Sequence, residues 1–154
     1  MKRRPQARAV AISPADALDQ RGLPIVAELA RVARGEDPPA VKLETALDVL
    51  FGAYGKGDPE FSGLFLTGWM RARDDKHCRL AVAWHREQLR LCLAEILAEG
   101  VAGGALRSSL DPDGVAALIL GAAESCLLQT ATGGGAVSAP DVVRAVLTLA
   151  LNGA

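Results

Sequence analysis

An excess of charge of either sign is missing from this chain: 17 Lys and Arg stand against 18 Asp and Glu, a net charge of −1. So even a balance removes the general electrostatic reason to expect nucleic acid or an acidic partner. The one local exception is the start, where Lys2, Arg3, Arg4 and Arg8 precede any acidic residue, and a short basic terminus is usually a solvated tail. Cysteines number only three. Cys78 and Cys92 lie 14 positions apart on one predicted helix, roughly 21 Å, which rules out a bridge between them. All three thiols read as small buried hydrophobes. A long leading apolar run is absent too: Ala9 to Ile12 is too short for a signal-peptide core. Glu124 interrupts the C-terminal apolar run before a bilayer span. These absences predict a cytoplasmic protein with no membrane contact.

Reactive constellations are equally scarce. Ser108 and Ser109 lie on a linker, no glycine-rich segment follows a strand, and the acidic residues are scattered over capping and solvent positions. The chain is therefore not expected to be an enzyme. His77 and His85 raise the question of a metal, as does the seven-residue spacing of Cys78, His85 and Cys92. That spacing separates successive side chains by about 10 Å along a helix, too far for one tetrahedral ion, so neither metal nor cofactor is expected.

What the chain has is apolar helix: half of its residues are hydrophobic and few are aromatic. The organising stretch is LDPDGVAALILGAAESCLLQ, Leu110 to Gln129, followed by Ala139 to Leu151. Asp111 caps a predicted helix and Pro112 fits its first turn. After Asp113 its only charge is Glu124. At 100° per residue Val115, Ile119, Ala122 and Cys126 lie opposite Ala117, Leu120, Gly121 and Leu128, so no polar stripe remains and the helix should be buried all round. In the last segment Asp141, Arg144 and Thr148 fall on one line, while Val142, Val143, Val146, Leu147, Leu149, Ala150 and Leu151 cover the rest, roughly 200° of arc. One small domain cannot hide both. The two segments should form a helical hairpin packed on a second copy of itself, since a two-fold patch satisfies itself.

Upstream, residues 1–22 read as a basic tail and lead-in, with Ser13 to Asp16 able to open a short helix, and residues 23–154 as the domain proper. Pro24 to Arg34 is a brief amphipathic helix ended by Gly35, and Val41 to Tyr54 a second, stopped by Gly55 and Gly57. Asp58-Pro59 opens a third, through about Arg73, with Gly63 and Gly68 inside it suggesting a close approach or a deformable segment. Asp74-Asp75 caps the longest, about Lys76 to Glu99. One apolar line on it runs through Cys78, Ala81, Val82, His85, Leu89, Cys92 and Ile96; Leu80, Trp84, Leu91 and Ala98 form another. Two apolar faces predict a helix sandwiched between layers. Gly100 to Ser109 is a connector. No β-pattern appears, so the fold class is all-α, an antiparallel bundle dimerising through its last two helices.

A long helix ending in AEILAEGVAGGALR, Ala94 to Arg107, then LDPDGVAALILGAAESCLLQ, a loop and a final apolar helix resembles the C-terminal half of the tetracycline-repressor (TetR) family, over about Leu23 to Leu151. The resemblance implies a homodimer joined by a four-helix bundle of the last two helices, and a small-molecule effector cavity among the middle ones. A complete member carries an N-terminal helix-turn-helix, which needs about 45 residues upstream. About 22 precede the first body helix here, without that three-helix pattern. The chain thus reads as either a piece of a longer regulator or a stand-alone effector domain, and not itself in contact with DNA.

Candidate effector-binding residues are Phe51, Phe65, Trp69, Met70, Trp84 and Leu89, between the helices starting at Val41, Asp58 and Lys76, together with His85 and Cys92. For single residues the competing reading is plain core, and His85 is either a hydrogen-bonded core histidine or a polar anchor for an apolar ligand. The predicted dimer interface comprises Leu118, Ala122, Glu124, Ser125, Val143, Val146, Leu147 and Ala150. Glu124 must find a partner or be held protonated, at the rim of the dimer seam or in the pocket. The line Ala117, Gly121, Ser125 allows close helix approach. The expected function is a homodimeric binding module for a small apolar or aromatic effector. The alternative is an interaction protein that pairs with full-length repressors.

Overall fold

The computed structural model describes residues 11–135 and 137–152. Among them six helices follow one another: α1 (Pro14–Arg34), α2 (Pro39–Tyr54), α3 (Pro59–Ala72), α4 (Lys76–Ala102), α5 (Pro112–Ala131) and α6 (Ala139–Ala150). The described residues contain no strand, only an antiparallel bridge between Leu106 and Leu151. The fold is an all-α bundle, as the periodicity predicts. The basic residues Lys2, Arg3, Arg4 and Arg8 lie outside the described residues.

Short polar side chains start the helices where the sequence places them. Asp58, Asp75 and Asp111 each accept from backbone N–H groups of the following first turn, satisfying donors that an open helix end leaves unpaired. Ser13 and Ser138 do the same for α1 and α6. The predicted break at Pro24 does not occur. The residues from Pro14 onward form one 21-residue helix with Pro24 inside it. Pro24 is exposed, whereas Ala15, Leu18, Gly22, Val26 and Leu29 bury a continuous stripe on either side of it. Burial of that stripe outweighs the one backbone bond that proline removes.

α4 is the hub, packing against α1, α2, α3 and α5. Leu89, Leu93, Ile96 and Leu97 on its inner side are at most 2% exposed. They meet Leu29 of α1, Leu43, Leu47 and Leu50 of α2, and Ile119 and Leu127 of α5 in one core. The sandwich expected for α4 is not found: Leu80, Trp84, Leu91 and Ala98 lie on its solvent side. The helices packed on α4 meet the side carrying Cys78, Val82, His85, Leu89, Leu93, Ile96 and Leu97, and Leu80, Trp84 and Leu91 stay 45–59% exposed. α5 likewise buries Ala116, Ile119, Leu120, Ala123, Glu124, Cys126 and Leu127 but leaves Ala117, Leu118, Gly121, Ser125 and Leu128 exposed. It is not hidden all round within one subunit. Glu124 also does not shorten its apolar run as expected: Pro112–Ala131, with a mean hydropathy of 1.5, is long and apolar enough to cross a membrane. Here it packs on α2, α3, α4 and α6.

Two polar anchors fix the register of the layers. The buried Lys42 ammonium donates to the Ala33 carbonyl at 3.0 Å and to Glu99 at 2.9 Å, tying α1, α2 and α4 together. Ser62 Oγ donates to the Leu127 carbonyl at 2.8 Å, tying α3 to α5. The α4–α5 connector folds back so that Leu106 is fully buried, its N–H bonded to the Gly100 carbonyl. A Cβ on Gly100 would come within 2.6 Å of the Leu106 side chain, which has nowhere to turn. Gly100→Ala should therefore lower unfolding stability by about 1–3 kcal/mol. Gly52→Ala, at an exposed helical site with open space around it, should raise it by about 0.5–1 kcal/mol. Urea unfolding of both variants tests the packing, and a Gly100→Ala chain as stable as wild type would reject it.

Candidate functional site

Where α1, α3 and α4 converge on the end of α2 there is a cavity of about 20 Å³. α1 contributes Leu18 and Gly22, α2 its last residue Tyr54, and α3 contributes Phe61 and Phe65, one helical turn apart. α4 supplies Val82, His85, Arg86 and Leu89 from successive turns of one face. Tyr54 packs edge-on against Phe61 at 5.5 Å and Phe65 at 6.2 Å, and Phe65 leads on to Trp69 at 5.9 Å. Arg21 lies over the Phe61 ring and pairs with Asp58.

Three polar groups face this apolar wall. His85 Nε2 lies 2.7 Å from Asp19 Oδ1 while Nδ1 is buried without a hydrogen-bond partner among the described residues. Tyr54 is a buried residue, and desolvation, reinforced by the Glu124 charge, holds its pKa above the ordinary tyrosine value. Arg86 donates through Nε and Nη2 to both oxygens of Glu124 at 3.0–3.1 Å and stacks over Trp69, 5.0 Å from the ring centroid. This answers the sequence question about Glu124: its partner is within the subunit. The thiols of Cys78, Cys92 and Cys126 are free, and burial raises the pKa of each, so none is an activated nucleophile. No group of three metal-ligating side chains occurs among the described residues.

Of the predicted effector residues, Phe65, His85 and Leu89 come together in this cavity. Phe51 instead lies at the base of a groove of about 540 Å³ between α2 and α6, with Lys56 and Arg144 at its edges. Trp69 lines a concavity between α3 and α5 with Arg86 and Leu128. Met70 is 76% exposed. Trp84 faces an outer groove between α1 and α4 with Leu23 and Leu80, and Cys92 is half-buried against the core. α3 and α4 turn only one face each inward, and the predicted residues sit on several. Of the predicted dimer residues, Leu118, Ala122, Val146 and Ala150 line one shallow concavity of α5 and α6, whereas the exposed Ser125 lines the concavity between α3 and α5. Val143 and Leu147 face α2, and Glu124 is occupied by Arg86.

Leu18 and Gly22 escape a sequence reading because they precede Pro24, and Arg86 because it sits among solvent-facing arginines. The signal for Arg86 was Glu124 itself, a carboxylate on an apolar helix in need of a cation. The fold defines an all-α helical bundle. Comparison with protein-family models, with curated proteins and with solved structures gives no match.

Arg86 keeps 43% of its side chain in solvent, against 10% for Glu124. Arg86→Met leaves a buried carboxylate unpaired and should cost about 2 kcal/mol. The double variant Arg86→Met, Glu124→Leu should return to within about 1 kcal/mol of wild type. Denaturant unfolding of the cycle measures this; additive effects would mean the pair is not coupled.

Proposed function

We propose that this chain is a ligand-binding and homodimerising helical domain, similar to the effector half of a TetR-family transcriptional repressor. The observation that carries the reading is the bare apolar face of α5 and α6. Leu118 and Leu149 are 73% and 74% exposed, and they border one concavity of about 380 Å³ with Leu110, Val115, Ile119, Ala122, Val146 and Ala150. Scattered exposed leucines mean little, but a contiguous set on two adjacent helices marks an interaction surface. A second copy related by a two-fold axis covers it with the same residues. Ala117, Gly121 and Ser125 lie along the exposed side of α5, and with nothing near Gly121 the partner helix can approach closely.

The cavity beneath α1 is the effector site, with apolar walls and a few converging polar groups. An effector entering it has to part α3 from α4. Arg86 then moves relative to Glu124, and the disturbance reaches α5 and the dimer face. In a regulator this changes how two copies sit and hence how they act on DNA, which this domain does not itself contact. We place the domain in the cytoplasm, in keeping with three cysteines that remain free.

Sedimentation velocity at micromolar concentration should find a dimer. Leu118→Glu or Leu149→Glu should convert it to monomer while far-UV circular dichroism stays helical, because both side chains lie in solvent within one subunit. A wild-type chain that remains monomeric at high concentration would overturn the dimer reading.

A further inference from the structure

His85 Nδ1 is, among the described residues, the one fully buried side-chain polar atom left without a hydrogen-bond partner. The ring is held firmly from its other side. Asp19 meets Nε2 at 2.7 Å, and Trp84 packs edge-on with ring centroids 5.1 Å apart. A carboxylate can only accept, so Nε2 carries the hydrogen and Nδ1 of the neutral ring presents a lone pair. The ring lies face-on against α1: a Cβ on Gly22 would come within 2.9 Å of both Nδ1 and Cε1 and 3.3 Å of Cγ. Glycine is what lets the imidazole pack this closely on α1, and Gly22 and His85 share the cavity wall. A buried acceptor without a donor is costly, and a site lined by one is matched by a ligand that brings the donor.

The rest of the wall narrows the ligand further. Tyr54, Phe61 and Phe65 stand edge-to-face around the cavity, an arrangement that a further aromatic ring joins favourably. Arg86, the cation on the wall, already donates to both oxygens of Glu124, so it offers little to an anion. The site's own phenol, Tyr54, is kept from ionising by burial and by the Glu124 charge, and an anionic ligand meets the same penalty. The closed cavity, about 20 Å³, has room for one hydroxyl-sized group. A ring attached to that group has to displace side chains such as Leu18 and Val82, which keeps the ligand small.

We propose that this cavity takes an uncharged, single-ring aromatic ligand carrying a hydroxyl, of the phenol class, whose O–H donates to His85 Nδ1. The proposal rests on the cavity being the effector site. The donor rule and the site itself fail in different ways, so one experiment separates them.

The intact chain is titrated with phenol, anisole and benzoate and followed by NMR. The imidazole nitrogens of His85 are observed in a long-range 15N–1H spectrum. Before addition, Nδ1 should resonate as an unprotonated nitrogen; a protonated Nδ1 overturns the proposal. Phenol should bind at least about tenfold more tightly than anisole, the worth of one buried hydrogen bond, and benzoate more weakly than phenol. Phenol alone should shift the Nδ1 signal. Anisole binding as tightly as phenol, or benzoate binding tightest, overturns the donor rule and leaves a ligand site. If no probe perturbs the signals of Tyr54, Phe65 or His85, both the donor rule and the effector site fall. In His85→Leu the advantage of phenol over anisole should shrink to less than about twofold, with anisole affinity retained. Should that variant fail to fold, the wild-type comparison of phenol with anisole decides alone.

Discussion

The burial of one face of α4 along its 27 residues is the constraint from which the rest of the bundle follows. Cys78, Val82, His85, Leu89, Leu93, Ile96, Leu97 and Gly100 form that face, and α1, α2, α3 and α5 gather on it. With those four helices in place no room is left for α6 against the hub. α6 packs only on α2 and α5, and Ala150 is its one buried residue. The bare surface of α5 and α6 is thus a consequence of the packing order. A helix as apolar as α5 can supply the core on one side and still show leucine to solvent on the other.

The polar groups inside the bundle are few, and most are satisfied by an identifiable partner. Lys42 caps the Ala33 carbonyl and reaches Glu99, Ser62 reaches across to Leu127, and Glu124 takes Arg86 in a bidentate pair. These contacts select one register among the many that leucine packing tolerates, since each leaves a desolvated group behind if the helices slip. His85 departs from that pattern, and the departure falls in a cavity and next to a glycine. Arg86 lies on the same wall and also borders the concavity between α3 and α5. A single side chain therefore touches both the interior cavity and the α5 surface.

Much of the fold is legible in the sequence. The caps at Asp58, Asp75 and Asp111 and the apolar periodicity downstream of them set three helix starts, because those signals act within one turn and need no neighbour. The reading stumbles at Pro24, where a local rule meets a buried stripe that continues past it, and tertiary burial prevails. The second apolar line of α4 misleads for the converse reason: periodicity reports that a face is apolar, not that anything covers it. The candidate site is legible only in part. Phe65, His85 and Leu89 share the cavity, whereas Trp69, Met70 and Trp84, chosen for size, project from other faces of the same helices.

By itself the sequence determines an all-helical chain, where most of its helices begin, and two C-terminal segments richer in apolar surface than one small domain needs. Those properties are local or compositional, so they survive without knowledge of which helix touches which. Only the tertiary structure decides that Asp19 meets His85 across 66 positions, that Arg86 meets Glu124 across 38, and that Gly22 lets α1 close on the His85 ring. Pairings at such separations depend on the angle at which two helices cross, and no pattern within either helix records that angle.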